Sequence, residues 1–152
     1  EDADPGTTRQ PQPGLPQLIE LVDEVRAGAN AMTRLVVRGC VAPLDPGIEL
    51  TAYRIVQEAL TNARRHAPGA AVDVELDYAA DALLVRVRDN GPGPSGAIAT
   101  DGSSTGGHGL RGMRERAAAV GGDLRVGSAP VGGFMVEATL PAAGRATETI
   151  TG

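Results

Sequence analysis

The longest amphipathic pattern in the chain runs from Glu49 to Ala67, and the predicted fold is built around it. When this stretch is placed on a helix, its apolar residues form one stripe that faces a core. The stripe consists of Ala52, Tyr53, Ile55, Val56, Ala59, Leu60, Ala63 and Ala67. Glu58, Asn62 and His66 step by four residues along one shoulder of this stripe and form a polar ridge at the margin of the core. The pattern therefore predicts a helix whose apolar stripe packs against the core and whose polar ridge binds a ligand.

Alternating apolar and polar residues predict five strands, because successive side chains of a strand point to opposite faces of a sheet. These strands are Thr33–Arg38, Val72–Tyr78, Leu83–Asp89, Asp123–Ser128 and Phe134–Leu140. A short turn at residues 79–81 separates the second strand from the third and favours an antiparallel hairpin. Asp89 falls on the inward face of the third strand, where a carboxylate is costly unless a group donates a hydrogen bond to it.

Two more helices and one long loop complete the predicted fold. Leu15–Ala27 has apolar residues at helical spacing, and a second such pattern begins at Gly109 and ends at Gly121. Residues 94–107 are mostly Gly, Ser, Thr and Ala, which is typical of a functional or disordered loop. The order of the elements predicts an α/β (α+β) two-layer sandwich, in which helices pack on one face of a mixed, mainly antiparallel sheet.

Length and composition predict one domain with a flexible segment at each end. The 152 residues of the chain are enough to bury a core without disulfides. Residues 1–14 are rich in proline and glycine, so we expect a linker from a preceding domain. Residues 15–141 are expected to form the folded domain, and residues 142–152 a flexible tail.

Charge and the scarcity of cysteine and histidine exclude several classes of function. The formal net charge is −5, which gives no basic footprint for nucleic acid. No apolar run reaches the length of a membrane span, so we expect no membrane insertion. Cys40 is the single cysteine and is expected to be a buried, inert thiol. Two histidines, His66 and His108, are too few for a multi-histidine metal site.

The cations of the chain narrow the choice further, because all 14 of them are arginine. A P-loop or a eukaryotic-type protein kinase needs a phosphate-binding lysine, and both classes are therefore excluded. Arginine can still bind phosphate through two hydrogen bonds, and helix N-termini can still receive it.

Three stretches carry the candidate chemistry: the polar ridge, Asp89-Asn90-Gly91-Pro92-Gly93, and Gly107-His108-Gly109-Leu110-Arg111-Gly112-Met113. In their order and spacing they resemble the N, G1 and G2 boxes of the Bergerat-fold (GHKL) ATPases. This family includes histidine kinases, the gyrase B subunit and the large heat-shock chaperone ATPases. Two sequence segments, RIVQEALTNARRHA and GHGLRGMRERA, are most similar to those of the nitrate-sensor-like sensor histidine kinases, which act with helix-turn-helix response regulators. The resemblance covers residues 15–141.

The resemblance implies ATP and Mg²⁺ as ligands. Asn62 would give a side-chain oxygen to Mg²⁺, and Glu58 would be the catalytic residue that orients a metal-bound water or a nucleophile. Asp89 would accept a hydrogen bond from the exocyclic amine of adenine. Guanine has an acceptor at that position, so ATP would be preferred over GTP. Gly91 and Gly93 would let the backbone pass close to the base.

The phosphates are expected to meet backbone N–H groups and cationic side chains. The third stretch would supply a glycine-rich lid and a helix N-terminus, through Gly107, His108, Gly109, Leu110 and Gly112. Arg65 falls about 20° from Glu58 around the helix and Arg64 lies on the opposite shoulder, so Arg65 is the candidate phosphate contact. For His66, a phosphate contact and a packed, neutral histidine are both open.

The implied function is that of the ATP-binding catalytic domain of a two-component sensor histidine kinase. Such a domain transfers the γ-phosphoryl group of ATP to a histidine on a dimerisation domain, which is absent from this chain, and a helix-turn-helix response regulator acts downstream. The isolated domain is expected to be cytoplasmic, monomeric and unable to phosphorylate itself. The alternatives are a non-catalytic nucleotide-sensing module and a serine kinase of the same fold.

Two features of the chain bear on this resemblance. Gly133-Phe134 stands where the family often has Gly-Thr, and a phenylalanine-rich box before the third stretch is missing. Gly107-x-Gly109-x-x-Gly112 also spells the dinucleotide-binding fingerprint, but a loop precedes it instead of the strand that this fingerprint requires. We therefore reject the dinucleotide interpretation.

Overall fold

The computed structural model describes residues 14–28, 32–91, 105–128 and 132–142. The elements within these ranges are α1 (Leu15–Gly28), β1 (Thr33–Gly39), α2 (Pro46–His66), β2 (Val72–Tyr78), β3 (Ala82–Asp89), α3 (Thr105–Ala119), β4 (Asp123–Ser128) and β5 (Phe134–Pro141). Each predicted helix and strand is present. The predicted linker at residues 1–14 and the tail at residues 142–152 lie almost wholly outside the described residues.

The five strands form one sheet in the order β1-β2-β3-β5-β4. β1 pairs with β2 in parallel, and α2 makes the crossover between them. The other pairs are antiparallel, and β2 and β3 form the predicted hairpin, closed by a bond from the Ala79 N–H to the Ala82 carbonyl. The prediction of a mixed, mainly antiparallel sheet is therefore confirmed.

The core lies on the face of the sheet that the helices cover. Buried and half-buried residues alternate along β2 and β3, as expected for strands with one covered face. The apolar stripe of α2 is buried against these strands, and only its Tyr53 is half-buried. The fully buried side chains include Ile55 and Val56 from α2, Leu76 from β2 and Met113 from α3. Helix packing on one face confirms the predicted two-layer sandwich.

The opposite face of the sheet carries a lattice of ion pairs, here called the charged face: Arg34, Asp73, Glu75, Arg86, Arg88 and Glu137. Arg86 bonds to Glu75 and to Glu137, each at 2.7 Å. Asp73 accepts from Arg34 at 3.0 Å and from Arg88 at 3.2 Å. Each pair joins neighbouring strands across the sheet, so opposite charges face one another on this open surface.

Element boundaries and one side chain differ from prediction. α2 begins at Pro46, before the predicted Glu49, because proline suits the first turn of a helix, where its missing N–H is not needed. α3 begins at Thr105, before the predicted Gly109, and residues 94–104 of the predicted loop lie outside the described ranges. Cys40 is exposed, and the prediction of a buried thiol is wrong, because Cys40 follows the end of an edge strand of the described sheet.

None of the described helices combines the length and the apolar character needed to cross a bilayer.

Candidate ATP-binding site

One end of the sheet gathers the candidate site. Asp89, at the end of β3, stands opposite Val72 at the start of β2 and Phe134 at the start of β5. α2 ends at His66, shortly before β2 begins, so its last turns lie at this same end. α3 ends where β4 begins and packs on β4 and α2, so its first turns are directed toward the Asp89 end. The C-terminus of α2 and the N-terminus of α3 thus both lie at the end of the sheet that contains Asp89.

Asp89 is buried on the helix-covered face, with 6% of its surface exposed, which confirms its predicted inward orientation. The Gly91 N–H donates to its Oδ1 at 2.9 Å. Among the described residues no cation pairs with this carboxylate, and Gly91 is the one residue that donates a hydrogen bond to it. A carboxylate buried with one donor keeps acceptor capacity for a ligand.

Asn62 is the second buried polar residue at this end, with 5% of its surface exposed. Its Oδ1 is buried and has no hydrogen-bond partner within the described part of the chain. An unpaired buried carbonyl costs about 1–3 kcal/mol, so its place on the ridge calls for a ligand. Glu58, one turn earlier, is half-buried and forms no hydrogen bond or ion pair with another described residue. Both polar groups therefore remain open to a ligand.

The last turn of α2 carries three cationic or titratable residues, Arg64, Arg65 and His66. Arg64 lines a groove between α1 and α2 together with Gln57 and Thr61, so it lies away from the ridge, as predicted. Arg65 is exposed. His66 is half-buried, and its Nε2 is a buried atom without a partner among the described residues. The partial burial of His66 fits a packed histidine, and its Nε2, which has no partner among the described residues, fits a phosphate contact.

A close contact joins α2 to the turn after β3. A Cβ built on Gly91 would lie 2.5 Å from the Ala67 Cβ and 3.2 Å from the Asp89 Oδ1. Real Cβ atoms do not approach another carbon this closely, so the contact requires glycine at this position. The end of the helix that carries Asn62 is thereby held against the turn that carries Asp89.

The third predicted stretch lies in α3. Gly107, His108 and Gly109 belong to its first turns, and Leu110 packs against the core from the following turn. Gly112 is half-buried, and Met113 is fully buried. The early turns of this helix therefore lie at the end of the sheet that contains Asp89. Gly93 of the second stretch lies outside the described residues.

The donor set suits Mg²⁺ better than a transition metal. Within the described ranges, His, Cys, Asp and Glu form no group of three or more that could hold a metal ion. Mg²⁺ is usually bound by one or two protein oxygens together with substrate phosphates and water. The buried, unpaired Asn62 Oδ1 and the nearby Glu58 carboxylate are oxygens of this kind.

Two neighbours of Asp89 were not among the predicted site residues. Phe134 lies opposite Asp89 in the β3–β5 pairing and is half-buried on the same face. Asn90 makes two hydrogen bonds with Ala71, which follows α2 in the chain. The Asn-Gly dipeptide signals a turn in the sequence, but no sequence pattern signals the distant backbone partner of Asn90.

Comparison with known proteins agrees with this arrangement. Residues 47–144 match the family described as histidine kinase-, DNA gyrase B- and HSP90-like ATPases. The Sensor protein VraS of Staphylococcus haemolyticus is 40% identical over 95 residues, which are 62% of this chain and 26% of that protein. The Sensor protein VraS of Staphylococcus aureus (strain COL) matches with the same identity and coverage. The chain thus spans about a quarter of the length of these relatives, 26% in each case.

Solved structures share the fold. The histidine kinase domain of the Erythrobacter litoralis EL346 blue-light activated histidine kinase superposes with a TM-score of 0.60 at 22% identity, covering 87% of this chain and 62% of that one. The mycobacterial sensor histidine kinase MprB superposes with a TM-score of 0.57 at 23% identity, covering 82% of this chain and 91% of that one. With the family match over residues 47–144, these likenesses confirm the Bergerat fold: the chain belongs to the histidine kinase-, DNA gyrase B- and HSP90-like ATPases.

Proposed function

We propose that this domain binds Mg·ATP at the Asp89 end of the sheet and transfers the γ-phosphoryl group to a histidine of a separate dimerisation domain. The observation that carries the proposal is the buried Oδ1 of Asn62, which has no partner among the described residues and lies at the same end of the sheet as the buried carboxylate of Asp89. A protein retains such costly groups where a ligand satisfies them. Family membership makes nucleotide the ligand of choice.

Adenine recognition is assigned to Asp89 and its turn. The free acceptor capacity of the carboxylate suits the exocyclic amine of adenine, whereas the carbonyl of guanine would oppose it. The close packing of Gly91 against Ala67 leaves a bare backbone at the base, and we assign the same role to Gly93. This assignment explains why Asp89 has no cationic partner among the described residues: a cation would occupy the acceptor that the base needs.

The metal and the catalytic function are assigned to the polar ridge. Asn62 would ligate Mg²⁺ directly, and Glu58 would hold a metal-bound water or orient the nucleophile. Charge neutralisation at the phosphates is what Mg²⁺ supplies when it is bound, and positioning with charge neutralisation accounts for most of the rate of phosphoryl transfer. The residues of this chain thus bind and orient the nucleotide, and the acceptor histidine comes from the partner domain.

Phosphate binding is assigned to both converging helix ends. Arg65 and His66 at the end of α2 would contribute cationic or hydrogen-bonding groups. The first turns of α3 would present backbone N–H groups and the positive end of the helix dipole. The residues proposed there are Gly107, His108, Gly109, Leu110 and Gly112.

The wider context extends the proposal to the full-length protein. The amino-acid sequences of the second half of α2 and of α3 support assignment to the nitrate-sensor-like branch. The downstream partner would then be a helix-turn-helix response regulator. We propose residues 15–141 as a monomeric, cytoplasmic catalytic domain, residues 1–14 as the linker to the dimerisation domain, and residues 142–152 as a flexible tail.

Phosphotransfer to a supplied acceptor tests this function. The domain is mixed with a matching dimerisation-domain fragment and γ-labelled Mg·ATP, and the label on the fragment is followed in wild type and Glu58→Gln. We expect acid-labile, alkali-stable label on histidine with the wild type, and a rate lowered at least about a hundredfold with the variant, the usual range for loss of a positioned acid or base. Nucleotide binding without transfer would instead indicate a sensing module, and alkali-labile label would indicate a serine kinase.

A further inference from the structure

Asn90 fastens the turn after β3 to the connection that follows α2. Its side-chain Oδ1 accepts a hydrogen bond from the Ala71 N–H at 2.9 Å. Its own N–H donates to the Ala71 carbonyl at 3.1 Å. Asn90 therefore binds both polar backbone groups of a single residue that lies 19 positions earlier in the chain.

The two segments that Asn90 joins carry the two walls of the site. On its own side, Asp89 precedes it and Gly91 follows it, and the Gly91 N–H donates to the Asp89 carboxylate. On the other side, Ala71 belongs to the same connection as Ala67, which packs directly against Gly91. The clamp, meaning the two Asn90–Ala71 hydrogen bonds, thus fixes the Asp89 turn relative to the end of α2.

Asn90 is exposed, so global stability does not explain these bonds well. A hydrogen bond of this kind contributes only a small part of the stability of a domain. Recognition of a base edge is more demanding, because the donor and the acceptor have to meet within a few tenths of an ångström and near a straight line. A small rotation of the turn would therefore weaken base recognition more than folding.

We propose that Asn90 is a positioning residue for base recognition: through Ala71 it sets the direction of the Asp89 carboxylate and hence the preference for a purine with a 6-amino group. This inference rests on the proposed nucleotide-binding function and adds to it. Asn90 acts through Asp89 and touches no nucleotide. Its removal should therefore weaken the contact to the amine and leave the contacts to ribose, phosphates and metal unchanged.

A base swap separates positioning from a merely structural role. ATP and inosine triphosphate differ at the 6-position, where inosine carries a carbonyl in place of the amine. Dissociation constants of both nucleotides with Mg²⁺ are measured by calorimetry for wild type, Asn90→Ala and Asn90→Asp. Asp81→Ala, in the turn at the other end of the β2–β3 hairpin, is the matched control. Thermal unfolding confirms that each variant is folded, and Asn90→Ser replaces Asn90→Ala if the latter does not fold.

We expect Asn90→Ala to weaken ATP binding about fivefold to tenfold, the equivalent of one lost hydrogen bond, and to leave inosine triphosphate binding unchanged. Asn90→Asp keeps an oxygen for the Ala71 N–H and should restore the preference for ATP. Equal weakening of both nucleotides, no weakening, or no rescue by Asn90→Asp would overturn the inference. If the wild type binds neither nucleotide, the proposed function fails and this inference fails with it, a result distinct from the others.

Discussion

Asn62 combines two properties that conflict in a purely structural residue. It is buried, and its Oδ1 has no partner among the described residues, so the folded domain bears an uncompensated desolvation cost. A metal bound to this oxygen would remove that cost in the nucleotide complex. Function and stability should therefore respond in opposite directions when the polar group is replaced.

Asn62→Leu keeps the branched shape of the side chain and removes the oxygen that has no partner among the described residues. We expect the free energy of unfolding to rise by about 1 kcal/mol, because the penalty for the buried polar group disappears. The Mg²⁺-dependent part of ATP affinity should be lost. Urea unfolding and calorimetry with and without Mg²⁺ measure the two effects.

Gln57→Leu is the matched control, since Gln57 lies on the same helix and faces the groove toward α1. It should leave the Mg²⁺ dependence of ATP binding intact. If Asn62→Leu also keeps the full dependence, Asn62 is not the metal ligand.

At the level of single residues, periodicity predicted how side chains are oriented within one helix or strand. It did not predict hydrogen bonds between two separate segments. The parity of β3 predicted that Asp89 points inward, and the helical wheel separated Arg64 from the ridge. The clamp between Asn90 and Ala71 was not predicted, because a backbone partner from another segment leaves no pattern in the sequence. The exposure of Cys40 depends on its place after an edge strand, which composition does not indicate.

At the scale of elements, the sequence predicts the existence of each helix and strand better than their ends and their pairing. Strong alternation gave β2 and β3 with the observed bounds to within one residue, Val72–Tyr78 and Ala82–Asp89. The first turns of α2 and α3 contain proline and glycines, which hide their helical character from a periodicity argument. The sheet order β1-β2-β3-β5-β4 depends on contacts between distant segments, so only its mixed character and the β2–β3 hairpin were predicted.

The charged face couples β1, β2 and β3 through Asp73. A hydrogen bond from Arg34 holds the pKa of the Asp73 carboxyl below its usual value, and a second from Arg88 acts in the same direction. A lowered pKa in the folded state means that the ionised carboxylate stabilises the fold above the usual pKa of about 4. This contribution disappears as the pH falls through the folded-state pKa.

Asp73→Asn should therefore destabilise the domain at pH 7 and destabilise it less near pH 2. We expect a loss of about 1 kcal/mol or less at pH 7, since the pairs are near the surface, and a smaller loss at high salt. Urea unfolding of wild type and variant at both pH values gives the comparison. A difference between them that is the same at pH 7 and pH 2 would show that the ionised carboxylate is not responsible.

In the molecule as a whole, the two faces and one end of the sheet have different roles. One face is covered by helices and forms the core, and the other carries paired charges. The end of the sheet where α2 stops and α3 starts contains the buried Asp89 and two buried atoms that have no partner among the described residues, Asn62 Oδ1 and His66 Nε2. We propose that this end binds Mg·ATP and that Asp89 recognises adenine.

Calorimetric titration of the wild type and of Asp89→Asn with a non-hydrolysable ATP analogue and Mg²⁺ tests both parts of this proposal in one experiment. The asparagine keeps an oxygen for the Gly91 N–H but loses the charge that strengthens the bond to the adenine amine. We predict saturable binding by the wild type and affinity at least about tenfold lower in the variant, as expected for loss of a charged hydrogen bond. Equal affinity of the two proteins for the analogue would show that Asp89 does not recognise adenine.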